Sequence, residues 1–156
     1  MAAAAGEDGR MIEVDVLRNK SVFFGLDDGQ MEKLATVAYQ TAYQKGAVLF
    51  REGDGGDSLL IVASGAIDLH QKREVEGGVK LTTLPVGAVM GEVTLVHVEP
   101  RSATAIAAVD GTEVVVLKNT DLVDLFKEDR ELLVVILLNI TRILSKRLRS
   151  ATSRMT

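Results

Sequence analysis

At 156 residues with 47% hydrophobic content, the chain is sized for one domain that buries roughly two-thirds of the surface its unfolded form exposes, and it is no disordered tail. It has no cysteine, which excludes disulfides, thiolate metal sites and cysteine-ligated iron–sulfur clusters and permits an intracellular, cytoplasmic setting. A formal charge of −4 argues against a nonspecific DNA-binding surface, which needs a basic footprint.

The first eleven residues, Ala/Gly-rich with two carboxylates, read as a flexible tail without the basic start and apolar core of a signal peptide; residues 12–156 read as one domain. After weak alternation from Ile12 to Leu17, Asp27-Asp28-Gly29 leads into a helix over Gln30–Tyr39. There Met31, Leu34, Ala35 and Ala38 recur at helical spacing, and Asp27 or Asp28 serves as its cap. Phe23, Phe24 and Leu26 are expected to pack over one end of a sheet.

Beyond Tyr43 the period changes. Short extended segments are expected at about 48–50, 58–63, 66–72, 79–84, 88–90, 103–109 and 112–117. Glycine-rich turns such as Gly53-Asp54-Gly55-Gly56-Asp57 and Pro85-Val86-Gly87 separate them. No helix-length segment intervenes, so a doubly wound parallel sheet is disfavoured. Val62, Ile67, Leu69, Leu81, Leu84 and Val114–Leu117 supply two inward faces. The fold class expected is mainly β with terminal helices, a jelly-roll barrel over about 45–118 followed by helices over about 120–152.

The first of those helices starts at Asn119-Thr120-Asp121 and the second near Asp129-Arg130-Glu131, whose acids suit its positive end. Along the second, Leu133, Leu137, Ile140, Leu144, Leu148, Ala151 and Met155 recur every three or four residues. Its apolar surface is wide enough to meet both the barrel and a second chain, so a homodimer through this helix is expected. Lys146, Arg147, Arg149 and Arg154 read as a solvated face complementing the helix dipole. The longest apolar run, Leu132–Leu138, is far too short to cross a membrane. No helix-turn-helix follows Met155-Thr156, so no direct DNA binding by this chain is expected.

The stretch Gly87-Ala88-Val89-Met90-Gly91-Glu92, followed by Pro100-Arg101-Ser102-Ala103-Thr104, carries the chemistry. Arginine matches two phosphate oxygens with a rigid fork, backbone N–H groups in a turn accept the same anion, and a glutamate carboxylate can only accept, favouring sugar hydroxyls. Such a set suits a small molecule with both a phosphate and vicinal hydroxyls. The spaced series Gly46, Gly53, Gly65, Gly87, Gly91-Glu92 and Pro100-Arg101 resembles the cyclic nucleotide-binding domain family, over roughly residues 20–148. The resemblance implies a regulatory sensor of cAMP, favoured over cGMP, or of cGMP, whose C-terminal helices move and pass the change to an effector protein.

By that resemblance Arg101 meets the cyclic phosphate and Glu92 the ribose 2′-hydroxyl, while Gly91 and Ala103 contribute backbone N–H groups. Ser102 bonds the phosphate or a guanine edge, so it does not decide between the two nucleotides. Thr104 either joins the site or simply forms strand; Met90 stands where a phenylalanine is frequent, and Val89 is a possible purine contact. The distal helix covers the base, which points at Thr152 and Ser153. His70 and His97 lie outside any metal-ligand spacing, and Asp54 and Asp57 resemble a calcium loop only superficially, so no enzyme, cofactor or metal is expected. The alternative is a barrel kept as a structural or interaction domain that no longer binds nucleotide.

Overall fold

The computed structural model describes residues 10–72, 78–91 and 99–154. After β1 (Arg10–Met11), a short helix α1 (Val14–Leu17) and a 3-10 turn (Ser21–Phe23) lead to α2 (Asp28–Val37). Asp27 caps α2 reciprocally: its carboxylate accepts from the Gln30 N–H at 2.8 Å, and the Gln30 side chain accepts from the Asp27 N–H at 3.0 Å. The helix ends at Val37, earlier than its apolar spacing implies, because Tyr39, Thr41 and Tyr43 belong to a strand, β2 (Tyr39–Tyr43), which pairs along its whole length with the last strand. β-Branched and aromatic residues at alternate positions favour that pairing over another helical turn.

The remaining strands are β3 (Val48–Phe50), β4 (Ser58–Ser64), β5 (Ile67–Gln71), β6 (Val79–Leu84), β7 (Val89–Met90), β8 (Thr104–Ala107) and β9 (Thr112–Lys118). Two helices follow, α3 (Asn119–Glu128) and α4 (Arg130–Arg154). The strands form two sheets, ordered β1-β2-β9-β4-β7 and β3-β8-β5-β6, and every pairing is antiparallel.

The expectation of a jelly-roll barrel is corrected here: neither sheet closes. β1 and β7 are edges of two residues each, β3 is an edge of three, and β6 pairs only with β5. Among the described residues, the one bridge outside the strands is Gly55 to Pro100. Three of the four edges are thus too short, with too few N–H and C=O groups, to extend a ladder across a seam, and the six-residue β6 has no second partner strand among the described residues.

The five-stranded sheet is buried on both faces, which explains the unbroken apolar runs of β4 and β9. Leu60, Val62, Val114 and Val116 point to the other sheet, where Tyr43, Ile67, Met90 and Ala105 join them. Leu59, Ile61, Val115 and Leu117 point the opposite way into a larger cluster built by Leu17, Val22, Phe23, Leu34, Leu122, Phe126, Leu132, Ile136 and Ile140. Each fully buried aliphatic side chain contributes roughly 1.5–3 kcal/mol. Phe24 departs from its expected packing role: it is 73% exposed. The 3-10 turn sends Phe23 inward and leaves its neighbour on the outside.

Two polar contacts fix α4 on this core. Asp129 caps it, accepting from the Leu132 N–H at 3.1 Å, and also accepts from the Gln30 side chain at 3.3 Å with Lys33 at 3.6 Å. The Leu132 N–H is the main reason its carboxyl titrates below the usual range, with Gln30 and Lys33 acting in the same direction. Asn139, buried within the helix, donates to the carbonyls of Val22 and Phe24, each at 2.9 Å.

Replacing Asn139 with leucine strands those two carbonyls, at about 1–3 kcal/mol per buried group, and should lower the midpoint of thermal unfolding by several degrees. Asp129→Ala should lower it near neutral pH. A depressed carboxyl stabilises above its unfolded pKa and loses that effect as pH falls through its folded value, so the gap between wild type and variant should narrow on acidification below the ordinary carboxylate range. Circular dichroism melts across pH check both.

Candidate functional site

Arg101 is the organising side chain. It is only 7% exposed, and both its backbone and its guanidinium are held. The turn after β3 grips the backbone: the Arg101 N–H donates to the Asp54 carbonyl at 2.7 Å and its own carbonyl accepts from the Gly53 N–H at 2.8 Å. That turn is closed on itself, because the Asp54 carboxylate accepts from the Arg51 N–H at 2.9 Å. The guanidinium lies over the Phe50 ring, 4.5 Å from its centre, and Nη2 donates to the Ser58 carbonyl at 3.1 Å.

Gly91 ends β7 with φ of 80°, and a Cβ there would overlap the Arg101 guanidinium and sit 2.5 Å from the Ser58 oxygen. Glycine is required twice over, for the left-handed backbone and for the space that the arginine fills. A cavity of about 250 Å³ opens above this arrangement, at the small end of the range for small-molecule sites. Arg101, Gly91, Ser102, Ala103, Val89 and Met90 line it, with Phe50, Leu69, Leu84 and Thr82 from the strands around.

Seven of the residues singled out from the sequence, then, stand as follows. Val89 and Met90 are buried beneath the cavity and Ala103 is buried beside it. Ser102 is exposed at the rim, its carbonyl accepting from the Gln71 side chain at 3.0 Å. Thr104 opens β8, and its hydroxyl accepts from the Glu52 N–H at 2.9 Å, fastening the β3 turn rather than lining the cavity. Glu92 and His97 lie outside the described residues.

The structure does not bring Thr152 and Ser153 to the cavity. Both are exposed, and the Thr152 hydroxyl donates to the Leu148 carbonyl one turn back at 2.9 Å. The α4 residue that reaches the cavity is Arg147, whose Nη2 donates to the Val89 carbonyl at 2.5 Å. The sequence reading left Arg147 on a solvated face. The missed signal is its spacing, one turn beyond Ile143 and two beyond Ile140 on the face that buries Leu132 and Ile136. Thr152, five residues on, is turned about 140° away from it. Among the described residues, no group of three or more His, Asp or Glu side chains is placed to hold a metal. No helix among them is long and apolar enough to cross a membrane.

A family model described as the cyclic nucleotide-binding domain matches residues 40–129. The chain is 32% identical over 92 residues to a cAMP-dependent protein kinase regulatory subunit of Blastocladiella emersonii, covering 59% of this chain and 23% of that protein. It is 31% identical over 105 residues to a cGMP-dependent protein kinase of Caenorhabditis briggsae, covering 67% of this chain and 14% of that protein. It therefore spans less than a quarter of the length of either relative. Among solved structures, the N-terminal domain of a transcriptional regulator from Streptomyces coelicolor A3(2) superposes with a TM-score of 0.73 at 30% identity, over 91% of this chain and 96% of that one.

Two glycines near Arg101 separate backbone strain from crowding. Gly53 has φ of 91° with nothing near its missing Cβ, whereas Gly91 faces the guanidinium. Gly53→Ala should cost about 1–2 kcal/mol for the left-handed backbone alone, and Gly91→Ala clearly more, since Arg101 must also move. Paired denaturant titrations check the order.

Proposed function

Because the chain belongs to the cyclic nucleotide-binding domain family, a binding module rather than an enzyme, we propose that it binds a cyclic nucleotide in the Arg101 cavity and relays occupancy through α4. The observation that carries the reading is the buried guanidinium seated against Gly91 under a cavity rimmed by Ser102 and Ala103. In the proposed complex Arg101 forks onto the cyclic phosphate, the Gly91 and Ala103 N–H groups and the Ser102 hydroxyl add donors, and Glu92 accepts from the ribose 2′-hydroxyl. Val89 and Met90 support the sugar and base from below. Thr104 has a supporting part, holding the turn that grips Arg101. Relatives named for cAMP and relatives named for cGMP both match, so the class of ligand is supported and a titration decides between the bases.

The relay follows from how α4 is held. Arg147 joins its C-terminal half to Val89 in the cavity wall, so a ligand entering there acts on the same contact. A ligand that binds the helix-in state more tightly shifts the helix equilibrium by that difference in affinity, tenfold for each 1.4 kcal/mol or so. Thr152 and Ser153 would come near a base only if the end of α4 turned. A second copy is the proposed partner of α4's outer face. Val134, Leu138 and Leu148 are exposed there, within about 80° of one another around the axis and opposite the buried stripe. We place the module in a cytoplasmic protein in which the change is handed to an effector protein or domain.

Calorimetric titration with cAMP and cGMP should give saturable binding of at least one. Arg101→Ala should weaken it at least tenfold, since a hydrogen bond to a charged group contributes about 1.5–3 kcal/mol and the fork makes two. Arg101→Lys keeps the charge but not the fork and should fall between. If neither nucleotide binds at millimolar concentration, the domain is an interaction scaffold instead. Sedimentation should find a dimer that Leu148→Glu dissociates.

A further inference from the structure

A second cavity, of about 690 Å³, opens where the C-terminal half of α4 passes the turn between β6 and β7. Its walls have two chemical characters. Arg142, Lys146 and Arg147 supply all of its ionisable groups, with no aspartate or glutamate in the lining, although the chain as a whole carries a formal charge of −4. The other wall is apolar: Phe24 and Val86 are 73% and 52% exposed, with Ile143 and Leu84 behind them.

The cations are set in place rather than scattered. Arg142 Nη1 donates to the Asn139 side-chain carbonyl at 3.1 Å, and Asn139 is itself anchored through Val22 and Phe24. That neutral contact fixes the guanidinium without neutralising it. Among the described residues, no carboxylate forms an ion pair with Arg142 or Lys146. The two are four residues apart, adjacent on one helix face, and can bracket a single anionic group. At the rim, Asn19 takes a left-handed φ of 65°, a conformation that asparagine adopts more readily than other non-glycine residues. Pro85 to Ala88 forms a turn closed by the Ala88 N–H on the Pro85 carbonyl at 3.1 Å, which presents Val86 outward.

We propose that this cavity is a second ligand site, for a small organic anion with an apolar or aromatic body. The anionic head lies between Arg142 and Lys146, and the body lies between Phe24 and Val86. A charged head satisfies cations that no described carboxylate pairs, and the body covers apolar surface that is otherwise left in water, worth about 25 cal/mol for each Å² removed. The assignment uses none of the residues assigned to phosphate and ribose, so it stands whether or not the first cavity takes a nucleotide.

The probe is 8-anilinonaphthalene-1-sulfonate, an aromatic anion whose fluorescence rises in apolar surroundings, titrated into the full chain. The expected result is a saturable one-to-one isotherm. Its dissociation constant should rise at least tenfold in the double variant Arg142→Gln/Lys146→Gln and separately in Phe24→Ser, an exposed position whose change leaves the core intact. Circular dichroism melts of each variant show that the fold is retained. Displacement by dodecanoate or by phenyl phosphate identifies the source of the anion, aliphatic carboxylate or aryl phosphate. An isotherm unchanged in the charge variant and in Phe24→Ser, or one that never saturates, overturns the proposal, as does equal displacement by inorganic phosphate, which has no body. Because these variants line only the second cavity, a failure here leaves the nucleotide titration unaffected, and the reverse holds too.

Discussion

The seat of the Arg101 guanidinium is the constraint on which the site depends. A buried cation is expensive unless its surroundings compensate, and here the face of Phe50 and the Ser58 carbonyl contribute to that compensation, while Gly91 leaves the room that the guanidinium fills. Those three residues come from β3, β4 and the end of β7, three strands distributed over both sheets. The arginine thus ties the two sheets at the point where a ligand would enter. Its backbone is held separately by the Gly53-Asp54 turn, so the position of its Cα does not depend on what the guanidinium touches.

That division of labour explains how a domain of short strands keeps a fixed binding geometry. The five-stranded sheet, packed against the second sheet on one face and helices on the other, provides the rigid layer, because close-packed interiors yield little. The segments that carry the polar groups are pinned by hydrogen bonds at definite places, among them Thr104 with Glu52, Gln71 with Ser102 and Arg147 with Val89. Contacts of that size, about 0.5–1.5 kcal/mol each, hold a loop yet can be exchanged when a ligand competes for the same groups.

Much of this was legible in the residues. The short strands between glycine-rich turns and the two terminal helices are written in local periodicity, whereas the grouping of Arg101, Gly91, Ser102 and Ala103 into one site is what the family resemblance implies and not something their spacing alone dictates. What escaped has physical causes. β2 has no decisive local signal: Ala38 and Tyr39 continue the helical spacing, residues 40–43 fit neither pattern on their own, and only the partner strand β9, distant in sequence, makes them a strand. Barrel closure depends on hydrogen bonds between edges, which no local pattern encodes, and three of the four edges have only two or three residues with which to make them. Gly53-Asp54 looked like a mere turn because its role is defined by the backbone of Arg101, far along the chain. Arg147 was hidden by its type, since a basic residue near a helix end is ordinarily solvated; its rotational position was the better guide.

Asn139 has a mechanical meaning. By gripping the carbonyls of Val22 and Phe24, it hitches the N-terminal turn to the long helix, so in the proposed relay the two would move together as one lever. The groove beside them has one jaw on that lever, Phe24, and the other on the turn between β6 and β7, Val86. Any swing of the helix therefore changes the gap between the jaws, and the opening works as a caliper on the outside of the molecule, its width set by the helix angle.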